Sequence, residues 1–198
     1  MRNYFHIDRY LTELEKDVYY QPQHGDDHLV WASNIIDQWV SLLNVKDVLD
    51  VGCGVGFCQS MFESYGIKYK GITLDSEDWK DAKSEQRNVS MQDYNFIECN
   101  ANAYDLVFAR HALEHSPFPI LSLMEWHRVS KQHLIVVNPN PDYWGWAGRN
   151  HYAVANLTQL KFYLERAGWL LVKDQVDKYE IWMHAIKVER KIPYYDHA

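Results

Sequence analysis

Two hydrophobic periods alternate along this chain. Short apolar runs with β-branched residues occur as VKDVLDVG (45–52), KYKGITLD (68–75), YDLVFA (104–109) and QHLIVVNPNP (132–141), each read as a strand. Between them, apolar residues recur at helical spacing. Leu29, Ile36, Trp39, Val40 and Leu43 predict a helix over 26–43, with an acid-rich start that suits its dipole. Further helices are expected over 57–65, 77–84, 117–129 and 156–167. Pro117 is tolerated in a first turn, Asn156 or Thr158 can cap the last helix, and Gly168 stops it. A short strand is expected near 88–91, inside an otherwise ambiguous stretch. The runs Trp169–Val176 and 181–189 are close enough to pair as a hairpin. The first 25 residues are polar and aromatic without clear periodicity, broken by Pro22 and Gly25. This alternation predicts an α/β fold with a mostly parallel sheet and one antiparallel strand near its edge.

The chain has 198 residues, which predicts one domain: a helical cap over 1–44, a core over 45–189 and a tail over 190–198. Hydrophobic residues make 47% and charged residues 24%, and the 9 glycines and 6 prolines are too few for a low-complexity chain. The net charge of −7 disfavours a nucleic-acid partner, since phosphate backbones reward clustered Lys and Arg. Cys53, Cys58 and Cys99 are odd in number and follow no metal spacing, which suggests free thiols in a reducing compartment. No apolar signal region opens the sequence, and no run approaches the roughly 20 apolar residues of a membrane helix. A soluble, cytoplasmic protein is therefore expected.

The most informative stretch is VLDVGCGVGF (48–57), in which a strand delivers Asp50 to a loop with Gly52, Gly54 and Gly56 at every second position. Glycine lets a ligand approach the main chain, and a loop at the end of a first strand is where an open α/β sheet binds nucleotides. The spacing G-x-G-x-G, preceded by an acid, differs from the G-x-G-x-x-G of dinucleotide sites. It resembles motif I of the class I S-adenosylmethionine-dependent methyltransferases. A second match, AYDLVFARHALEHSPFP (103–119), is similar to a family signature containing L-E-H. The resemblance runs from about Val45 to Trp169.

That resemblance implies a Rossmann-like fold with a seven-stranded sheet and helices on both faces. It implies S-adenosylmethionine as cofactor, bound by Asp50, Gly52, Cys53, Gly54, Gly56, Leu74, Asp75, Gln92, Asp93 and Arg110. Asp75 is the candidate for the ribose hydroxyls, although Thr73 takes the position directly after G-I, and Asp75 could equally cap the next helix. Asp93 matches the acid that meets the adenine amino group, with Tyr94 beside it, or is a turn residue. His111 and His115 are the catalytic candidates, followed by His151, because an imidazole titrates near working pH. The alternative for each is a structural hydrogen bond. Some small-RNA 2′-O-methyltransferases hold a divalent ion with two Glu and two His near the cluster of His111, Glu114 and His115. Here His111 stands where the first Glu would be expected, and no metal is expected.

The expected acceptor is a small or lipid-like molecule, in a pocket shaped by the N-terminal helix, the 111–119 turn and the Trp-rich loop at 143–150. The alternatives are a nucleic-acid methyltransferase, which would need a basic face around Arg149, Lys161 and Arg166, and a non-catalytic cofactor-binding or partner protein. A homodimer or partner subunit could complete the site.

Overall fold

The computed structural model describes residues 5–17, 26–145, 148 and 150–189. In chain order the elements are α1 (Phe5–Glu15), α2 (Asp26–Gln38), a 3-10 turn (Val40–Leu42), β1 (Asp47–Val51), α3 (Gln59–Ser64), β2 (Lys68–Thr73), α4 (Ser76–Ser84) and β3 (Val89–Met91). They continue with β4 (Tyr104–Arg110), a 3-10 turn (Leu113–His115), α5 (Pro119–Val129), β5 (Ser130–Pro139), α6 (Pro141–Trp144), α7 (Leu157–Ala167), β6 (Trp169–Val176) and β7 (Glu180–Lys187). The seven strands form one sheet in the order β3-β2-β1-β4-β5-β7-β6, and β7 runs antiparallel to both its neighbours. This is the expected sheet, with its antiparallel strand next to the edge.

Strands buried on both faces place alternate side chains in two cores. Leu49 and Val51 of β1 join Trp126, Leu160 and Leu164 on one face, while Val48 joins Ile35, Ile36 and Phe62 on the other. The chain winds outward from β1 to β2 and β3, then crosses back to β4 and β5 on the other side. The carboxyl ends of β1 and β4 therefore diverge, which is where an open α/β sheet leaves a crevice.

The N-terminal segment differs from its sequence reading. Residues 5–15 form α1, although their apolar positions showed no clear period. The helix over 26–43 stops at Gln38 and tightens into a 3-10 turn, and α3 starts two residues late because 53–58 are used in the turns of the glycine loop. The Trp-rich segment contains the single turn α6, capped by Asn140.

Of the two cap candidates for α7, the structure uses Asn156. Asn156 Oδ1 accepts from Gln159 N–H, and Gln159 Oε1 accepts from Asn156 N–H, each at 3.0 Å. Gly168 ends the helix at φ +94°. We expect Asn156→Ala to lower unfolding free energy by about 1 kcal/mol in urea titration. Among the described residues, no helix is long and apolar enough to cross a membrane.

Candidate active site

The end of β1 turns sharply under the ends of β2 and β4. Gly52 sits at φ +67°, and a Cβ there would stand 2.7 Å from the Ala112 Cβ. Only glycine lets this turn pass beneath the 3-10 segment that follows β4. Cys53 N–H donates to the Ile72 carbonyl of β2 at 3.0 Å, and Gly56 N–H to the Cys53 carbonyl at 2.9 Å, which fixes the loop. Above it lies a cavity of about 220 Å³. Its walls are the glycine loop, the ends of β2 and β4, the 93–95 turn, Leu11 and Leu14 of α1, His28 of α2 and the 150–152 segment. Asp17 ties α1 to that last segment by accepting from Tyr152 Oη at 2.6 Å and Asn150 Nδ2 at 3.3 Å.

The charge of the described lining decides what kind of ligand fits. Five carboxyl groups (Asp50, Asp75, Asp78, Asp93 and Glu114) line the cavity with one guanidinium, Arg110. That guanidinium is engaged by Glu180. A phosphate ligand would meet an excess of acidic groups here, whereas a ligand carrying positive charge meets complementary oxygens. The residues thus fit S-adenosylmethionine, whose sulfonium and ammonium are cationic.

Asp50 is buried, and its Oδ2 accepts from Tyr69 Oη at 2.9 Å. Burial pushes its carboxyl up to about 7, against the lowering effects of Tyr69 and of the Arg110 charge. A carboxyl raised above its unfolded value holds its proton more tightly in the fold. It therefore costs stability as pH rises from about 4 to about 7, and the loss is complete above that window. We expect Asp50→Asn to relieve that loss. The variant-minus-wild-type difference in urea unfolding should grow by a few kcal/mol between pH 5 and pH 8. An equal difference at both pH values would mean that Asp50 titrates normally.

The other acids do local work as well. Asp75 caps α4: its Oδ1 accepts from Glu77 N–H at 2.9 Å and Asp78 N–H at 2.8 Å. Asp93 Oδ1 accepts from the backbone and side-chain nitrogens of Asn95, both at 2.8 Å. Leu74, Cys53 and Gly54 line the cavity, as does Tyr94, whose Oη donates to the Ala112 carbonyl at 3.1 Å. Burial pushes the Cys53 and Cys58 thiols well up, so both stay protonated and unreactive. Two predicted cofactor residues lie behind the wall. Gly56 packs against Val89, and Gln92 Oε1 accepts from Glu98 N–H at 3.1 Å within its own loop.

The histidines divide into two groups. His111 Nε2 lies 2.9 Å from Glu180 Oε1, and burial lowers its pKa to about 4 despite that carboxylate. His115 Nδ1 lies 3.3 Å from the Asn150 carbonyl, and its ring meets His151 edge-on at a centroid distance of 4.7 Å. Burial and His151 lower the His115 pKa to about 4. Glu114 is buried beneath them, and desolvation raises its carboxyl to about 8. The cluster weighed in the sequence thus has different members. His111 is drawn away to Glu180, and Glu114, His115 and His151 bring one nitrogen or oxygen each within 4.8 Å of one another.

The family profile described as a methyltransferase domain matches residues 26–196. The chain belongs to the class I S-adenosylmethionine-dependent methyltransferases. It is 33% identical over 105 residues to a ubiquinone biosynthesis O-methyltransferase of Nitrosomonas europaea, a stretch covering 50% of this chain and 45% of that one. It is 31% identical over 101 residues to norajmaline N-methyltransferase of Rauvolfia serpentina, covering 42% and 35%. The matches to these two curated relatives span less than half of their length. A solved methyltransferase from Aquifex aeolicus superposes with TM-score 0.64 at 23% identity, covering 79% of this chain and 89% of that one. Another from Mesorhizobium loti gives 0.65 at 13% identity, covering 78% and 96%. At these identities the two structures speak for the fold alone.

Within this methyltransferase site, sequence reasoning missed Glu180, His28 and the α1 leucines. Glu180 carries the clearest signal of the three: it is an acid directly before the apolar run IWMHAI, and such an acid is buried only if something cationic or hydrogen-bonding meets it.

Proposed function

We propose that this protein transfers the methyl group of S-adenosylmethionine to a hydroxyl oxygen of a small-molecule or lipid-like acceptor. The observation that carries this reading is the placing of a neutral imidazole, His111, in the cavity wall just after β4, the strand beside β1 and its glycine loop. An amine can attack a methyl carbon with its lone pair, but a hydroxyl must shed a proton, and that calls for a base. The curated relative that acts in ubiquinone biosynthesis is an O-methyltransferase, which supports the same class.

When bound, S-adenosylmethionine supplies a methyl carbon already activated by its sulfonium. The chain's residues then hold, orient and shield. Gly52, Cys53 and Gly54 bring the main chain to the cofactor, with Gly56 and Gln92 supporting the loops from behind. Asp50 and Arg110 set the charge at the methionine end. Asp75 and Asp93 each use Oδ1 locally and keep the second oxygen for ribose and adenine, beside Leu74. Leu11, Leu14 and Tyr152 give the acceptor end an apolar cover that excludes water. Holding acceptor and methyl group in line contributes about 7–11 kcal/mol to such a reaction. His111 takes the proton, and His115 fixes the 111–117 turn through the Asn150 carbonyl.

The nucleic-acid alternative finds little support. Lys161 pairs with Asp174 at 3.1 Å, Arg166 lies over the Phe162 ring, and Arg149 falls outside the described residues. The test is release of S-adenosylhomocysteine with a phenol and alkylated 1,2-dihydroxybenzenes of increasing chain length. Turnover that rises with chain length supports the lipid-like class. Turnover on amines or nucleic acid but on no hydroxyl compound would overturn the reading.

A further inference from the structure

A carboxylate from near the chain's end closes the site at its most strained point. Glu180 opens β7, 69 residues beyond His111, and is 1% exposed. Its Oε1 accepts from an Arg110 terminal nitrogen at 2.5 Å and meets His111 Nε2 at 2.9 Å. Its Oε2 accepts from Trp182 Nε1 at 2.8 Å. An ionised carboxylate carries lone pairs and no hydrogen. The hydrogen in the His111 contact therefore sits on Nε2, and the lone pair of the neutral ring falls on Nδ1. The His111 side chain keeps 23% of its surface exposed, against 2% for Glu180 and 5% for Arg110, and it lines the cavity.

The backbone points the same way. His111 stands at φ +51°, the left-handed region that a non-glycine residue enters at a cost of about 1–2 kcal/mol. Its N–H donates to the Val137 carbonyl at 2.8 Å, which continues the β4–β5 ladder through the strained residue. The hydrogen bonds at both ends of this residue hold a conformation that the chain would not adopt by itself.

We propose that Glu180 is the positioning residue of the methyl transfer, holding His111 as its Nε2–H tautomer so that Nδ1 faces the acceptor hydroxyl. The proposal rests on the hydroxyl acceptor class above. As the hydroxyl oxygen attacks, the oxygen–methyl bond forms, the sulfur–methyl bond breaks with its electron pair going to sulfur, and the hydroxyl proton passes to Nδ1. The resulting imidazolium faces the Glu180 carboxylate and later gives its proton to water. Arg110 holds the same carboxylate oxygen and keeps Glu180 ionised throughout. The other groups around the ring are His28 of α2, edge-on at 5.9 Å, and His115 of the following turn, which disfavours a second charge beside it.

The test is the long-range ¹⁵N–¹H imidazole spectrum of the full chain at pH 7.5, with His111→Asn assigning the signal. The expected result is a single Nε2–H tautomer in wild type, and in Glu180→Gln a mixture of tautomers. With an acceptor that wild type methylates, Glu180→Gln should lower kcat 10- to 100-fold with KM within threefold, and Glu180→Asp should recover part of the loss. An Nδ1–H tautomer in wild type would overturn the proposal even if Glu180→Gln fails to fold. So would an unchanged tautomer in a folded Glu180→Gln. The expected tautomer without turnover on any hydroxyl compound would leave the Glu180–His111 pairing standing and overturn the acceptor class.

Discussion

Wild-type protein binds S-adenosylhomocysteine with micromolar affinity in calorimetry, and Gly54→Arg abolishes binding: that is the expected result with the largest effect. Gly54 lies at φ +54° in the cavity wall. An arginine there forces a side chain into a left-handed backbone and sends its long stem into the space the cofactor fills. Its charge also pairs with the carboxylates that suit a cationic ligand. The loss should exceed 100-fold, about 2.7 kcal/mol. Gly66→Ala is the control, because φ +72° gives it a similar backbone strain but a Cβ there meets nothing within 4 Å. It should cost about 1 kcal/mol of stability and leave binding intact. Retained affinity in a folded Gly54→Arg protein would mean that the ligand does not lie on the glycine loop.

His111→Asn should lower kcat by about 10²–10⁴ while S-adenosylhomocysteine affinity stays within threefold. Asparagine tolerates the left-handed backbone better than most residues, so this variant removes the base without adding strain at φ +51°. The pH dependence gives a second check. His111 must be neutral to accept a proton, and its pKa is lowered to about 4. In wild type, kcat should therefore hold level from pH 8 to about 5 and fall as pH drops through about 4. An unchanged kcat in His111→Asn would assign proton removal to another group or to water.

Much of this molecule was written in local pattern. The strands around 45–52, 104–109 and 132–141 are legible because residues buried on both faces must be apolar almost throughout, whatever their neighbours. The G-x-G-x-G loop is legible because its geometry excludes side chains: the 2.7 Å gap at Gly52 makes glycine a requirement rather than a preference. Asn156 and Gly168 mark the ends of α7 by the same kind of local constraint. Helix α1 was not legible. Its exposed Ile7 and Tyr10 blur the helical period, and Leu11 and Leu14 line the cavity.

The sequence by itself determined the α/β layering, the cofactor loop and the class of chemistry, since each follows from residues a few positions apart. Tertiary structure alone decided which histidine does what. His111 and His115 sit four apart on one short segment after β4, and the arrival of β7 from 69 residues away separates their roles, giving His111 the Glu180 carboxylate while His115 meets the Asn150 carbonyl. Asp50 likewise reads as an ordinary acid until the fold buries it, and that burial raises its pKa although Tyr69 and Arg110 pull the other way. Burial and long-range pairing set charge states, and no window of sequence contains either.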